Sequence, residues 1–247
     1  MRFCVLASGS KGNSTYLEIN NKKYLIDLGV NYNYLVEKLE EIKVKPDEIS
    51  GIFITHLHED HIIGLPRFLK LWNPTIYLSK SMHEHLNIPI KNYEYLESSL
   101  ELDNLIVEAL NLSHDTECNG YIFTSEGKDL VYITDTGYIN IRYHEKLTNK
   151  NAYIFESNHD IDMLMKSRRP HHIKMRILGN VGHISNKDCA YYLSKFVGDR
   201  TGFIVLAHLS EENNFPERAL SSIQEVITGD TNIVVATQKD RTGVMEI

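Results

Sequence analysis

Apolar residues along this chain gather in short runs separated by polar, turn-prone segments. The runs "RFCVLA", "TYLEI", "KYLIDLG", "GIFIT", "TIYLS", "LIVEALNL", "GYIFTS", "DLVYIT", "AYIFES", "GFIVLA" and "NIVVAT" predict β-strands. "GYIFTSEGKDLVYIT" predicts a hairpin turning near Glu126–Gly127. Between strands the apolar spacing changes to three and four residues. That spacing predicts helices over Tyr32–Ile42, Ile62–Trp72, Asn186–Val197 and Pro216–Ile227. Ser185 can cap the third helix, and Pro216 suits a first helical turn. Strands with helices interspersed imply a layered α/β protein, its sheets packed on each other and its helices outside.

Several strands end in polar, metal-competent residues: Asp27, His114, Asp135, the pair His159 and Asp160, and His208. The densest group is "THLHEDH", Thr55–His61, directly after an apolar run. His56 and His58 are two apart, so in extended chain they point the same way and can share an ion. Asp60 and His61 follow where the chain turns into a helix and can face a neighbouring ion, while Glu59 faces out. For a single histidine, a solvated turn is the commoner explanation. So many ionisable groups crowded together without a ligand would be penalised. A nitrogen and oxygen donor set suits borderline divalent metals such as zinc. His114 would complete the first ion, Asp135 would bridge both, and His208 would complete the second.

Length and charge narrow the partners. A chain of 247 residues is one large domain or two small ones. A formal net charge of −7 argues against a general polyanion binder, unless carboxylates neutralised by metal account for part of it. Against that background, no acidic residue occurs between Asp162 and Asp188, while Lys166, Arg168, Arg169, Lys174, Arg176 and Lys187 do. Beside a metal site such a stretch would track a phosphate backbone; a solvated basic helix is the plainer alternative. Three widely spaced cysteines outside any CxxC fit a reducing cytoplasm rather than a disulfide framework. Neither a signal peptide nor a membrane span is expected.

The order and spacing of these residues resemble the metallo-β-lactamase superfamily over nearly the whole chain. His56, His58, Asp60 and His61 match its H-x-H-x-D-H motif, and His114, Asp135 and His208 match its later ligands. Within it the chain is similar to the WalJ/YycJ group, described as 5′-to-3′ exonucleases acting on DNA. The strings that carry this are "LASGSKGNSTYLE", "LIDLG", "THLHEDHIIGL", "YITDTGY", "ESNHDIDML", "GHISN" and "AHLSEENN". One departure is Cys118–Asn119, where that group would have a proline-containing loop. The resemblance implies a four-layer αββα sandwich over residues 1–247 as a single domain, with a dinuclear site of zinc, manganese or iron at one edge.

That resemblance also implies chemistry. Two divalent ions roughly 3.5–4 Å apart hold a bridging water as hydroxide, which attacks in line. Asp60 or Asp135 would orient it, and Asp27 would hold a ligand histidine through its free ring nitrogen. His183 in "GHISN" stands where tRNase Z-like relatives have a phosphate-contacting histidine, with Ser185 in the place of their threonine. It would bind phosphate or protonate the departing oxygen. Ser185, His159, Lys166, Arg168, Arg169, Lys174 and Arg176 are the expected substrate contacts, and the loop of Ser8, Ser10 and Asn13 is a turn or a phosphate cradle. Nucleic acid, DNA in preference to RNA, is the expected partner; no protein partner can be inferred. A glyoxalase II-type ester or thioester hydrolase shares the ligands and is the competing expectation. A closed structural metal site would leave no open positions, so it fits this ligand set poorly.

Overall fold

The computed structural model describes residues 1–247. Nearly every apolar run forms the strand expected of it. Seven strands build the first sheet: β1 (Arg2–Ala7), β2 (Ser14–Ile19), β3 (Lys22–Ile26), β4 (Ile49–Phe53), β5 (Thr75–Leu78), β6 (Tyr93–Tyr95) and β14 (Met245–Glu246). They lie in the order β14-β1-β2-β3-β4-β5-β6, parallel from β3 to β6. The second sheet contains β7 (Ser99–Leu102), β8 (Leu105–Leu112), β9 (Cys118–Ser125), β10 (Lys128–Ile133), β11 (Ala152–Glu156), β12 (Phe203–Ala207) and β13 (Asn232–Val235). Its order is β13-β12-β11-β10-β9-β8-β7, with β10 to β13 parallel. The β9–β10 hairpin turns through Glu126 and Gly127, both with positive φ, at 52° and 75°.

Nine helices complete the chain: α1 (Tyr32–Glu41), α2 (Glu59–Ile62), α3 (Leu65–Leu71), α4 (Lys80–His85), α5 (His144–Leu147), α6 (Ile161–Lys166), α7 (His171–Leu178), α8 (Asn186–Phe196) and α9 (Pro216–Gln224). Three buried clusters mark the seams between four layers. Leu35, Leu39, Leu65 and Phe68 pack α1 and α3 on the outer face of the first sheet. Phe3, Leu17 and Phe53 meet Tyr121, Phe123 and Val205 between the sheets. Leu193, Phe196, Ala219 and Ile223 pack α8 and α9 on the outer face of the second. This is the αββα sandwich expected from the sequence.

One helix differs from expectation. The periodic stretch Ile62–Trp72 is two helices, because the chain hooks onto the segment after β3 at Gly64. The Gly64 N–H donates to Leu28 O at 2.9 Å. A Cβ at this position would lie 1.9 Å from Leu28 Cδ2 and 2.1 Å from Val30 O, so only glycine fits. Pro66 then opens α3. The first of the two helices therefore starts at Glu59, carrying Asp60 and His61 in its only turn.

Candidate metal centre

The parallel strands of both sheets run out toward one edge, and the polar strand ends meet there. After β4 the chain stays extended, so His56 Nε2 and His58 Nδ1 come within 3.1 Å. His114, just beyond β8, brings its ring centroid 5.3 Å from that of His56 and 5.2 Å from that of His58. Ligand atoms of these three lie within 4.8 Å of one another, and so do those of Asp60, His61 and His208. Asp135 forms a third such group with His56 and His61, and its Oδ2 is 3.3 Å from His61 Nε2. It therefore stands between the two trios.

The donor atoms look unsatisfied without a cation. Both ring nitrogens of His114, Oδ2 of Asp135 and Nε2 of His208 are buried and have no hydrogen-bond partner. Such groups are costly unless something else binds them. The charges divide the same way. Burial, then the neighbouring His61, holds His56 well below the usual imidazole range, and burial lowers His114 as well. These rings are neutral donors. Burial also opposes charge on His61, but Asp27 and Asp135 outweigh it and raise its pKa to about 10. Burial is likewise outweighed at His208, where Asp135, Asp60 and Glu156 push the pKa well up. His56 and His114 are ready to donate lone pairs; His61 and His208 sit among carboxylates that draw positive charge.

A ring of supports fixes the donors. Asp27 Oδ2 lies 2.7 Å from His61 Nδ1 and accepts from Thr55 Oγ1 at 2.8 Å, while Oδ1 accepts from the Thr55 N–H at 2.8 Å. Ser8 Oγ accepts from the His208 N–H at 2.7 Å, and Asn158 Nδ2 donates to His208 O at 2.8 Å. Asn13 Nδ2 is 3.0 Å from His61 Nε2, and its N–H donates to Asp60 O at 2.8 Å. The loop of Ser8 and Asn13 thus braces the donors from behind. Gly29 lets this happen: a Cβ there would stand 1.7 Å from Asp60 O. Asp27, Asp135 and His208 all have left-handed backbones, with φ of 58°, 58° and 57°. Each turns sharply off a strand end, a conformation L-residues hold only under constraint.

Glu156, at the end of β11, was not among the expected site residues. It is fully buried, and its Oε1 lies 2.8 Å from both His183 Nδ1 and His208 Nδ1. Oε2 accepts the N–H groups of Thr136 at 3.0 Å and Ile184 at 3.1 Å. Burial opposes its charge, yet His183 and His208 hold its pKa down at about 2. The sequence signal is an acid closing a strand whose other residues are all buried and apolar. Asp115 was also missed. Its Oδ1 is 3.4 Å from His58 Nε2 and 3.3 Å from His114 Nε2, and its Oδ2 is 3.4 Å from Arg176 Nη1.

His183 stands at the rim, its ring centroid 5.4 Å from His114 and 5.2 Å from His208. The other expected contact residues differ in exposure and partners. Ser185 is buried and caps α8, accepting from the Asp188 N–H at 3.1 Å and donating to Asp188 Oδ2 at 2.6 Å. His159 is fully buried. Asp160 caps α6 and pairs with Arg218. Lys174 is buried, and its Nζ donates to Met165 O and Ser167 O, both at 2.7 Å, at the end of α6. A long cation on α7 reaching back to the end of the preceding helix is unreadable from charge spacing alone. Lys166 and Arg168 are exposed with no carboxylate partner; Arg169 pairs with Glu212 and Arg176 with Asp115.

Comparison with known proteins bears on this geometry. The family model described as Metallo-beta-lactamase superfamily matches residues 7–208. The chain is 37% identical over 236 residues to Exodeoxyribonuclease YycJ of Bacillus anthracis, covering 92% of this chain and 89% of that protein. It is 33% identical over 249 residues to Exodeoxyribonuclease WalJ of Streptococcus pneumoniae, covering 95% and 91%. In fold it is similar to the metallo-beta-lactamase fold protein YhfI of Bacillus subtilis, with a TM-score of 0.73, 14% identity and coverage of 98% and 99%.

Proposed function

The chain belongs to the metallo-beta-lactamase superfamily, and on that premise we propose that it is a metal-dependent exodeoxyribonuclease that shortens DNA from the 5′ end. The observation that carries this reading is the pair of donor trios, with Asp135 grouped with one histidine of each, His56 and His61, and buried donor atoms left unpartnered. His56, His58 and His114 would hold one divalent cation, Asp60, His61 and His208 a second, and Asp135 both. Zinc, manganese and iron all suit this set. Bound there, the cations supply an activated water and charge neutralisation at the attacked phosphorus.

The protein's own groups do the rest. Asp60 and Asp135, whose carboxylates face this group of histidines, would orient a water there. Glu156 Oε1 lies 2.8 Å from His183 Nδ1, which keeps that nitrogen occupied and leaves Nε2 facing the substrate; with a proton on each nitrogen the ring would donate from Nε2 to a phosphate oxygen or to the departing alkoxide. Lys166, Arg168, Arg169 and Arg176 line a basic path for the phosphate backbone. The DNA preference is supported by the two relatives named for exodeoxyribonuclease activity. The antiparallel pairing of β1 with β14 supports treating residues 1–247 as one domain. No helix is long and apolar enough to cross a membrane. Three buried, free cysteines support a cytoplasmic setting.

The test is a metal-supplemented digestion of end-labelled single- and double-stranded DNA and RNA, run beside a generic thioester. Stepwise loss from the 5′ end of DNA is expected, with the thioester untouched. His58→Ala and Asp135→Ala should abolish digestion while the far-ultraviolet circular dichroism stays that of the parent. Digestion surviving in both variants would remove the proposed centre.

A further inference from the structure

We propose that a cavity beside His114 receives the terminal nucleotide of the strand, its base against Tyr138 and its phosphate at Arg142. The proposal rests on the nuclease reading above and adds to it how the end is held. The cavity measures about 230 Å³ and lies between the end of β8 and the loop after β10. Those two segments also supply His114 and Asp135, so the cavity adjoins the metal centre, and His114 forms part of its wall. It is smaller than the roughly 300–1,000 Å³ of sites for drug-sized ligands. One nucleoside unit fits that scale; a run of several does not.

Its lining suits such a unit. Six of the nine arginines each pair with a carboxylate; Arg142, like Arg67 and Arg168, pairs with none. Its guanidinium is nonetheless fixed: it lies 4.6 Å over the Tyr143 ring, and Nη2 donates to the Tyr143 hydroxyl at 2.6 Å. That hydroxyl also accepts the Asn111 N–H at 3.1 Å, which ties the fork to the end of β8. A pre-positioned guanidinium with uncompensated charge is a phosphate binder. Tyr138 is exposed and offers a ring face for stacking, which tolerates any base. Asn111 and Asn140 also line the cavity; Asn140 Oδ1 accepts the Arg142 N–H at 3.1 Å, so what it can still offer a ligand is its Nδ2. The basic stretch on α6 and α7 has no comparable aromatic platform, so backbone tracking and base stacking divide between two surfaces.

The experiment uses the metal-loaded full chain, a labelled DNA oligonucleotide and thymidine 5′-monophosphate as competitor. Arg142→Gln and Tyr138→Ala should each raise the oligonucleotide KM and the mononucleotide inhibition constant about tenfold, with kcat within about threefold. Tyr138→Phe should keep the parent values, because it keeps the ring. Values within twofold of the parent in both Arg142→Gln and Tyr138→Ala would overturn the proposal. If the parent digests no nucleic acid, the nuclease reading fails by itself. Calorimetric titration with thymidine 5′-monophosphate then decides the cavity: binding weakened by both substitutions supports it, and absent or unaffected binding overturns it.

Discussion

Glu156 is the residue on which most of the site's geometry converges. One oxygen takes two histidines and the other takes two backbone N–H groups, so every position around the carboxylate is a donor. Glu156→Gln would preserve shape and reverse that pattern. With its amide nitrogen at one end it faces two N–H groups; at the other it faces two imidazoles that must then accept at Nδ1. An accepting Nδ1 puts the His208 proton on Nε2, the atom proposed to bind metal. Outer partners of ligand histidines typically change affinity 10–100-fold. The expected outcome is a 10–100-fold loss of affinity at the Asp60–His61–His208 position and at least a hundredfold loss of kcat, in a folded protein. Equilibrium dialysis against graded metal, beside steady-state digestion, measures both. The proposed ligand cluster is legible in the sequence because H-x-H-x-D-H is dense and local. Glu156 is not, because one acid at a strand end becomes meaningful only when β10 and β12 place their polar ends around it.

The helices after β11 separate two uses of positive charge that look alike in sequence. Lys174 closes the end of α6 from below, whereas Lys166 and Arg168 stand in solvent without partners. Lys174→Ala should therefore cost about 1–3 kcal/mol of stability, the usual penalty for stranding buried carbonyls, and leave the salt dependence of DNA binding alone. Arg168→Ala and Lys166→Ala should each flatten the slope of log affinity against log salt by about one, with little change in stability. Urea melts and fluorescence titrations at several salt concentrations distinguish the two patterns; a flattened slope in Lys174→Ala would count against this division. The strands were legible because apolar runs have few alternatives. The helix register here was not, since α6 and α7 are short and depend on tertiary capping. The same holds at Gly64, where a continuous helical period is broken by the backbone of the segment after β3.

Across the whole molecule, the proposed ligands divide between the sheets. His56, His58, Asp60 and His61 follow β4 of the first sheet, while His114, Asp135 and His208 follow strands of the second. A bound cation is then a cross-link at the open edge of the sandwich. The inter-sheet core of Phe53, Tyr121 and Phe123 holds the rest of the seam. Direct protein contacts also cross near this edge: the Asn119 N–H donates to Thr55 O at 2.8 Å, the Tyr121 hydroxyl donates to Ile54 O, and the His208 N–H donates to Ser8 Oγ at 2.7 Å. Three left-handed backbones beside them, at Asp27, Asp135 and His208, each cost on the order of 1–3 kcal/mol, which a bound cation would help offset. One site held at a hundred times its dissociation constant adds about 2.7 kcal/mol. For a chain of this size that raises the melting temperature by roughly 5–10 °C. A purely global effect would slow hydrogen exchange everywhere alike. The cross-link predicts a local one: on chelation the Asn119 and His208 amides lose protection first, and the β2–β3 ladder keeps its own. Exchange measured by mass spectrometry at matched temperature, with and without chelator, separates the two; equal loss in both places would mean the cations do not bridge the sheets.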